Sequence, residues 1–162
     1  MAKVTIGIDN GTTGAVAIIS DEDSVFFPTP VKEALHYTKS KKMLRMLDWH
    51  ELSQEIRAFT EGAGNPRAFI ERPFVNPKFF NSSMSGMSCY LATRQCLEML
   101  SIGYETVDSG TWQRSLIPGF KGPELKKASR LKGMELYPKH TEFIMKHKDA
   151  DGLLIAHHFH NM

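Results

Sequence analysis

The chain has 162 residues, 41% of them hydrophobic, with 20 Lys and Arg against 18 Asp and Glu. That length can bury roughly two-thirds of the unfolded surface, so one domain over residues 1–162 is expected, with no staple needed to hold its core. No apolar run approaches the ~18 residues of a membrane span, and Met1-Ala2-Lys3 runs straight into a predicted strand, so a cytoplasmic protein without a membrane partner is expected.

The first predicted elements form a meander. Val4 to Asp9, Ala15 to Ser20 and Ser24 to Thr29 read as strands, joined by tight turns at Gly11 to Gly14 and Asp21 to Asp23. The basic stretch KSKKMLR, Lys39 to Arg45, reads as a loop. Leu47 to Gly62 carries Trp49, Leu52, Ile56 and Phe59 at helical spacing, and Gly62-Ala63-Gly64-Asn65-Pro66 stops it. RAFIERP is a short apolar strand ending at Glu71, and Ser82 to Ser101 is a long helix rich in small residues and methionines. Cys89 and Cys96 lie seven apart in that helix, out of disulfide reach and without metal-ligand spacing, so they read as buried thiols. YETVDS is a fifth strand. Helices follow over Thr111 to Leu116, Glu124 to Tyr137 and Asp149 to His160. The order βββαβαβ and then helices implies a mixed α/β sheet with helices on both faces.

The charge is unevenly placed. Between Lys121 and Lys148 eight basic residues face three acids, so that segment is +5 while the remainder of the chain is −3. Lys121, Lys126 and Lys127 open it. With the Lys39 to Arg45 cluster, this makes a polyanionic partner plausible, although a solvated lysine face would look the same.

Four carboxylates carry the chemistry. Asp9 ends the first apolar strand, Glu71 ends another, and Asp149 and Asp151 open the last helix. Acids gathered at strand ends and a helix start repel one another unless a divalent cation neutralises them, and Mg²⁺ prefers such oxygen ligands. Two such ions about 4 Å apart activate water and stabilise the leaving oxygen in phosphodiester cleavage. The alternatives are Asp9 as a turn former beside Asn10-Gly11 and Asp149 as a helix N-cap.

Three motifs in order, IGIDNGTTGAVAI, FIERPF and DADGLLIAHH, with TWQRSL and PELKKASRLKGMELYP before the last, resemble the RuvC-like Holliday junction resolvases of the RNase H-like superfamily. The resemblance spans nearly the whole chain. It implies an RNase H-like fold with a five-stranded mixed sheet, a homodimer, and Mg²⁺- or Mn²⁺-dependent symmetric nicking of branched, four-way DNA. By motif position it makes Asp9, Glu71 and Asp151 metal ligands. It implies that Phe74 stacks on junction bases, and that Lys126 or Lys127, and Arg114 or neighbouring Gln113, meet DNA. One departure stands out. The family places an acid or histidine three or four residues before the last aspartate, where this chain has Lys148 and His147. Asp149 lies only two before, and residues i and i+2 of a helix point about 200° apart, so Asp149 can join Asp151 only from a non-helical entry turn. His147 is the other candidate for that fourth position.

Other features are read as structural: Phe79 and Phe80 as closing the core or a dimer surface, Trp49 and Trp112 as packing residues, and His157 to His160 as complements of a helix dipole rather than a zinc site. Ser85, Gly86, Ser88 and Ala92 would admit a second subunit or the chain's own sheet. Rival functions are a binding-only junction module, a less selective branched-DNA or RNA-processing nuclease, and an actin-like phosphate-binding protein suggested by DNGTTG. The last needs a second such domain to close over a nucleotide, which this length does not supply. A binding-only module would not need the acids.

Overall fold

The computed structural model describes residues 2–36 and 38–162, so Met1 of the expected lead-in lies outside the described residues. Its main sheet has five strands in the order β3-β2-β1-β6-β7: β1 (Val4–Ile8), β2 (Ala15–Ser20), β3 (Ser24–Pro28), β6 (Arg67–Glu71) and β7 (Gly103–Val107). The first three form the expected antiparallel meander, and β6 and β7 add to β1 in parallel. The five-stranded mixed sheet with helices on both faces is therefore observed.

Alternation along the strands divides the core. Val4, Ile6, Ile8, Val16 and Ile18 face α1 (Trp49–Thr60) and α2 (Phe80–Met99), where they meet Leu52, Ile56, Cys89 and Cys96. Both cysteines are free and buried, as expected. Ala15, Ala17, Ile19 and Phe69 face the other way, toward α3 (Ser109–Leu116), α4 (Pro123–Leu136), α5 (Thr141–Lys146) and α6 (Asp151–His160). Trp112 is fully buried in this layer. The sheet is thus apolar on both sides, which is why its central strands read as continuous hydrophobic runs.

Three expectations are corrected. A second sheet stands apart, a hairpin of β4 (Val31–Leu35) and β5 (Met43–Leu47), so KSKKMLR is half turn and half strand. The strand at VKEAL was hidden by its Lys, Glu and Ala, which are poor strand formers that only cross-strand pairing offsets. The short helix α5 was also missed. The last helix begins at Asp151, and Asp149 precedes it.

Candidate active site

The candidate site lies at the carboxyl ends of two neighbouring parallel strands. Ile8 of β1 is in register with Ile70 of β6, so Asp9 and Glu71 leave the sheet side by side. The chain then folds back sharply. Asp9 N–H donates to the Ala15 carbonyl at 3.1 Å, and Gly14 N–H donates to the Gly11 carbonyl at 3.0 Å. Gly11 has φ +129°, and a Cβ on Gly14 would lie 2.0 Å from the Asp9 carbonyl oxygen, so DNGTTG needs these glycines to keep the turn tight. Helix α6 closes the third side. A Cβ on Gly7 would fall 2.3 Å from the Ala156 nitrogen and the Gly152 oxygen, and one on Gly152 would fall 2.6 Å from the Ala15 oxygen. These two bare positions let the helix lie directly on β1 and β2, bringing its first residue, Asp151, to the same edge.

Asp149 reaches the site from the entry turn. Its Oδ1 accepts the Asp151 N–H at 3.2 Å, while its Oδ2 lies 3.8 Å from the Lys148 ammonium. Asp149 is thus not the helix N-cap, a position held by Ala150 without a side-chain cap bond; it sits one residue earlier in the entry turn, with one oxygen on the Asp151 N–H and the other toward Lys148. Lys148 Nζ also lies 3.3 Å from Asp9 Oδ2. Ser129 of α4 donates its hydroxyl to Asp151 Oδ1 at 2.5 Å and accepts the Ala150 N–H at 3.0 Å, which ties α4 to the helix start. Lys148 and Ser129 were not anticipated. Ser129 carried no sequence signal, whereas Lys148 was noted only as a departure from the family pattern.

Negative charge is crowded here. Asp9 and Asp149 are 5% and 2% exposed. Burial, then the charges of Asp9 and Asp151, pushes the Glu71 carboxyl up to about 9. Burial, then Asp149 and Asp9, pushes Asp151 up to about 7 despite the Ser129 hydrogen bond. Asp9 is raised by burial, against the pull of Lys148 and with the push of the Asp149 charge. Burial alone would lower the Lys148 pKa, but Asp9 and Asp149 outweigh it and hold the ammonium charged.

These residues suit a hard divalent cation by donor chemistry. All four are carboxylates, buried Asp9 Oδ2 makes no hydrogen bond beyond its ion pair with Lys148, and that ammonium already supplies positive charge between Asp9 and Asp149. In this arrangement no three carboxylate, imidazole or thiol groups among the described residues form a closed ligand set.

A groove of about 780 Å³ opens over Glu71, lined by the Asn10 to Thr13 turn, by Phe74, and by Asn81, Ser82, Ser85 and Gly86 of α2. Phe74 is 74% exposed on its wall. The small residues at the start of α2 thus face the groove, and Asn10 Nδ2 donates to the Gly86 carbonyl at 3.1 Å. Arg114, Lys121, Lys126 and Lys127 are exposed and do not line this groove. Lys126 lies three residues before Ser129 on α4, on a neighbouring part of the helix surface. His147 stacks on Phe143 with centroids 5.4 Å apart and leaves its buried Nε2 without a hydrogen bond; burial lowers its pKa.

Two members of the histidine run bond to neighbouring elements: His157 bonds Tyr137 at 2.8 Å, and His160 bonds Thr5 at 3.1 Å and lies 3.2 Å from Asp21. Phe79 and Phe80 do not close this chain's core, being 60% and 62% exposed, and Trp49, expected inside, is 40% exposed.

No family model and no curated protein matches the sequence. The fold is similar to that of a solved structure described as T. thermophilus RuvC in complex with Holliday junction substrate, with a TM-score of 0.56 and 12% identity, covering 94% of this chain and 90% of that one. The chain has a RuvC-like, RNase H-like fold. A second solved structure, of Thermus thermophilus RuvC, aligns over the same shares at 12% identity with a TM-score of 0.46. Among the described residues no helix is long and apolar enough to cross a membrane.

Proposed function

We propose that this chain is a divalent-metal-dependent endonuclease that resolves four-way DNA junctions by paired, symmetric phosphodiester cleavage. The observation that carries the reading is the buried acid cluster of Asp9, Glu71, Asp149 and Asp151, with its compensating Lys148, at one edge of a RuvC-like sheet. The similar T. thermophilus protein is described as bound to a Holliday junction, which supports branched DNA as the substrate.

In this reading the four acids hold Mg²⁺ or Mn²⁺, which when bound supplies an activated water and stabilises the leaving oxygen. The chain's own residues set the rest. β1 and β6 fix Asp9 and Glu71 from a rigid sheet, and Ser129 orients the Asp151 carboxyl. The backbone of the Asn10 to Thr13 turn borders the groove where a phosphate would lie. Phe74 offers an exposed ring to an unpaired base, a contact of roughly 1–3 kcal/mol. Arg114, Lys121, Lys126 and Lys127 contact phosphates away from the reacting bond. One nuclease domain over residues 1–162 acts in each subunit of a homodimer, so that two sites nick opposite strands. Leu91 and Met99 of α2, 49% and 67% exposed, give such a dimer an apolar surface.

The test is cleavage of a labelled four-way junction, a flap, a duplex and an RNA–DNA hybrid, with Mg²⁺ or EDTA. Symmetric paired nicks in the junction alone, abolished by EDTA, are expected. Stronger cutting of the flap or the hybrid would replace junction resolution with a less selective nuclease of the same fold.

A further inference from the structure

We propose that the β4–β5 hairpin, with the first residue of α1, forms a second nucleic-acid subsite that takes unpaired DNA leaving the active-site groove; the proposal rests on the nuclease reading above. Charge is the first observation. Residues 31–47 hold Lys32, Lys39, Lys41, Lys42 and Arg45 against Glu33, a net +4, so the other 145 residues are net −2. Among the described residues, none of these five cations makes an ion pair, not even Arg45 directly across the hairpin from Glu33. The hairpin therefore presents uncompensated positive charge to solvent, as a polyanion site requires.

Continuity is the second observation. A groove of about 610 Å³ lies between the hairpin and α2, and three of its lining residues, Thr12, Asn81 and Ser85, also line the groove over Glu71. Arg45 and Thr12 border a further cavity beside His147. A strand held at Glu71 can thus pass over Thr12 into the hairpin groove without leaving the surface.

The lining decides which form of DNA fits. Leu35, Met43 and Trp49 are 76%, 52% and 40% exposed, and all three line the groove, with Lys42 and Arg45 beside them. Duplex DNA presents phosphates and would leave this apolar floor unused. Unpaired nucleotides present base faces for the aromatic and apolar floor and phosphates for the cations. Single-stranded DNA, as exposed at an opened branch point, is the occupant.

The arrangement supplies its own reporter. The chain has two tryptophans, and Trp112 is fully buried while Trp49 is in the groove. The full-length protein is titrated in EDTA with oligo(dT), following tryptophan emission and the anisotropy of the labelled oligonucleotide. Saturable quenching is expected, lost in Trp49→Phe, whose ring still stacks and keeps the affinity. In Lys42→Ala/Arg45→Ala, affinity should fall roughly tenfold, and the plot of log affinity against log salt should flatten by about 1.4, two single-strand phosphate contacts. Unchanged quenching in Trp49→Phe, or unchanged affinity and slope in the double variant, overturns the subsite. So does a shift of the DNA-free double variant from dimer to monomer in sedimentation without loss of DNA affinity, which gives the groove to a second copy of the chain. Neither readout uses metal or cleavage. Absent junction nicking with Trp49-dependent quenching intact would remove the nuclease reading alone, and normal nicking without quenching would remove the subsite alone.

Discussion

At the residue scale, the acid cluster separates charge from hydrogen bonding. Asp149 uses one oxygen on the Asp151 N–H and points the other at Lys148. An asparagine keeps the amide oxygen for the N–H and removes the charge, so Asp149→Asn is expected to fold normally yet be strongly impaired in Mg²⁺-dependent nicking. Asp151→Asn, which also weakens the bond from Ser129, should be inactive at any practical Mg²⁺ concentration. Single-turnover cleavage over a Mg²⁺ titration measures both. Near-normal turnover by Asp149→Asn together with an inactive His147→Ala would make the histidine the fourth ligand. The three acids Asp9, Glu71 and Asp151 were legible in the sequence because each ends or opens an apolar element, a placement that costs solvation unless the charge is used. Lys148 was not legible, since a lysine in a basic segment reads as solvated until the fold turns it onto Asp9.

At the element scale, the main sheet was readable because both its faces are buried and its strands are short apolar runs. The β4–β5 hairpin was not, because its strands pair only with each other and carry charged residues that mimic a loop. Nor could the sequence show how closely α6 approaches β1. Gly7→Ala would place a Cβ 2.3 Å from the backbone of α6, so the helix must lift. Overpacking of this kind costs ~1–3 kcal/mol, and here it also carries Asp151 away from Asp9. Gly7→Ala should therefore lose stability in urea unfolding and also lose nicking when assayed well below its midpoint; full activity at unchanged stability would show that the close approach is not needed. Helix α4 makes a separate prediction. Lys126→Ala/Lys127→Ala should weaken junction binding and flatten its dependence on log salt by about 1.8, two duplex phosphate contacts. An unchanged slope would make these lysines a solvated face.

At the scale of the whole molecule, concentrating four acids in one buried place ties stability to pH and to metal. Glu71 is pushed up to about 9 and Asp151 to about 7, both above their unfolded values of 4.5 and 3.8. A raised carboxyl binds its proton more tightly in the folded chain. Its stabilising contribution is therefore fully present below the unfolded pKa and is lost as pH rises through the folded one, here between about pH 4 and pH 9. The half-buried histidines His140, His147 and His157 act oppositely. Burial lowers their pKa, so their contribution is present above about 6.5 and is lost as pH falls. Wild-type protein alone would blend the two trends, and a variant isolates the first. Glu71→Gln keeps shape and polarity but cannot ionise. In EDTA it should be close to wild type in stability at about pH 5 and more stable by at least ~2 kcal/mol at about pH 8. Mg²⁺ at the higher pH should raise the wild-type melting temperature and raise that of Glu71→Gln much less, since a cation that binds only the folded acids stabilises by mass action. Thermal melts of both proteins at the two pH values, with EDTA and with Mg²⁺, give all the comparisons. Equal stability of the two proteins at about pH 8 in EDTA would mean that folding does not raise the Glu71 carboxyl, and an equal Mg²⁺ shift in both would place the ion elsewhere than at Glu71.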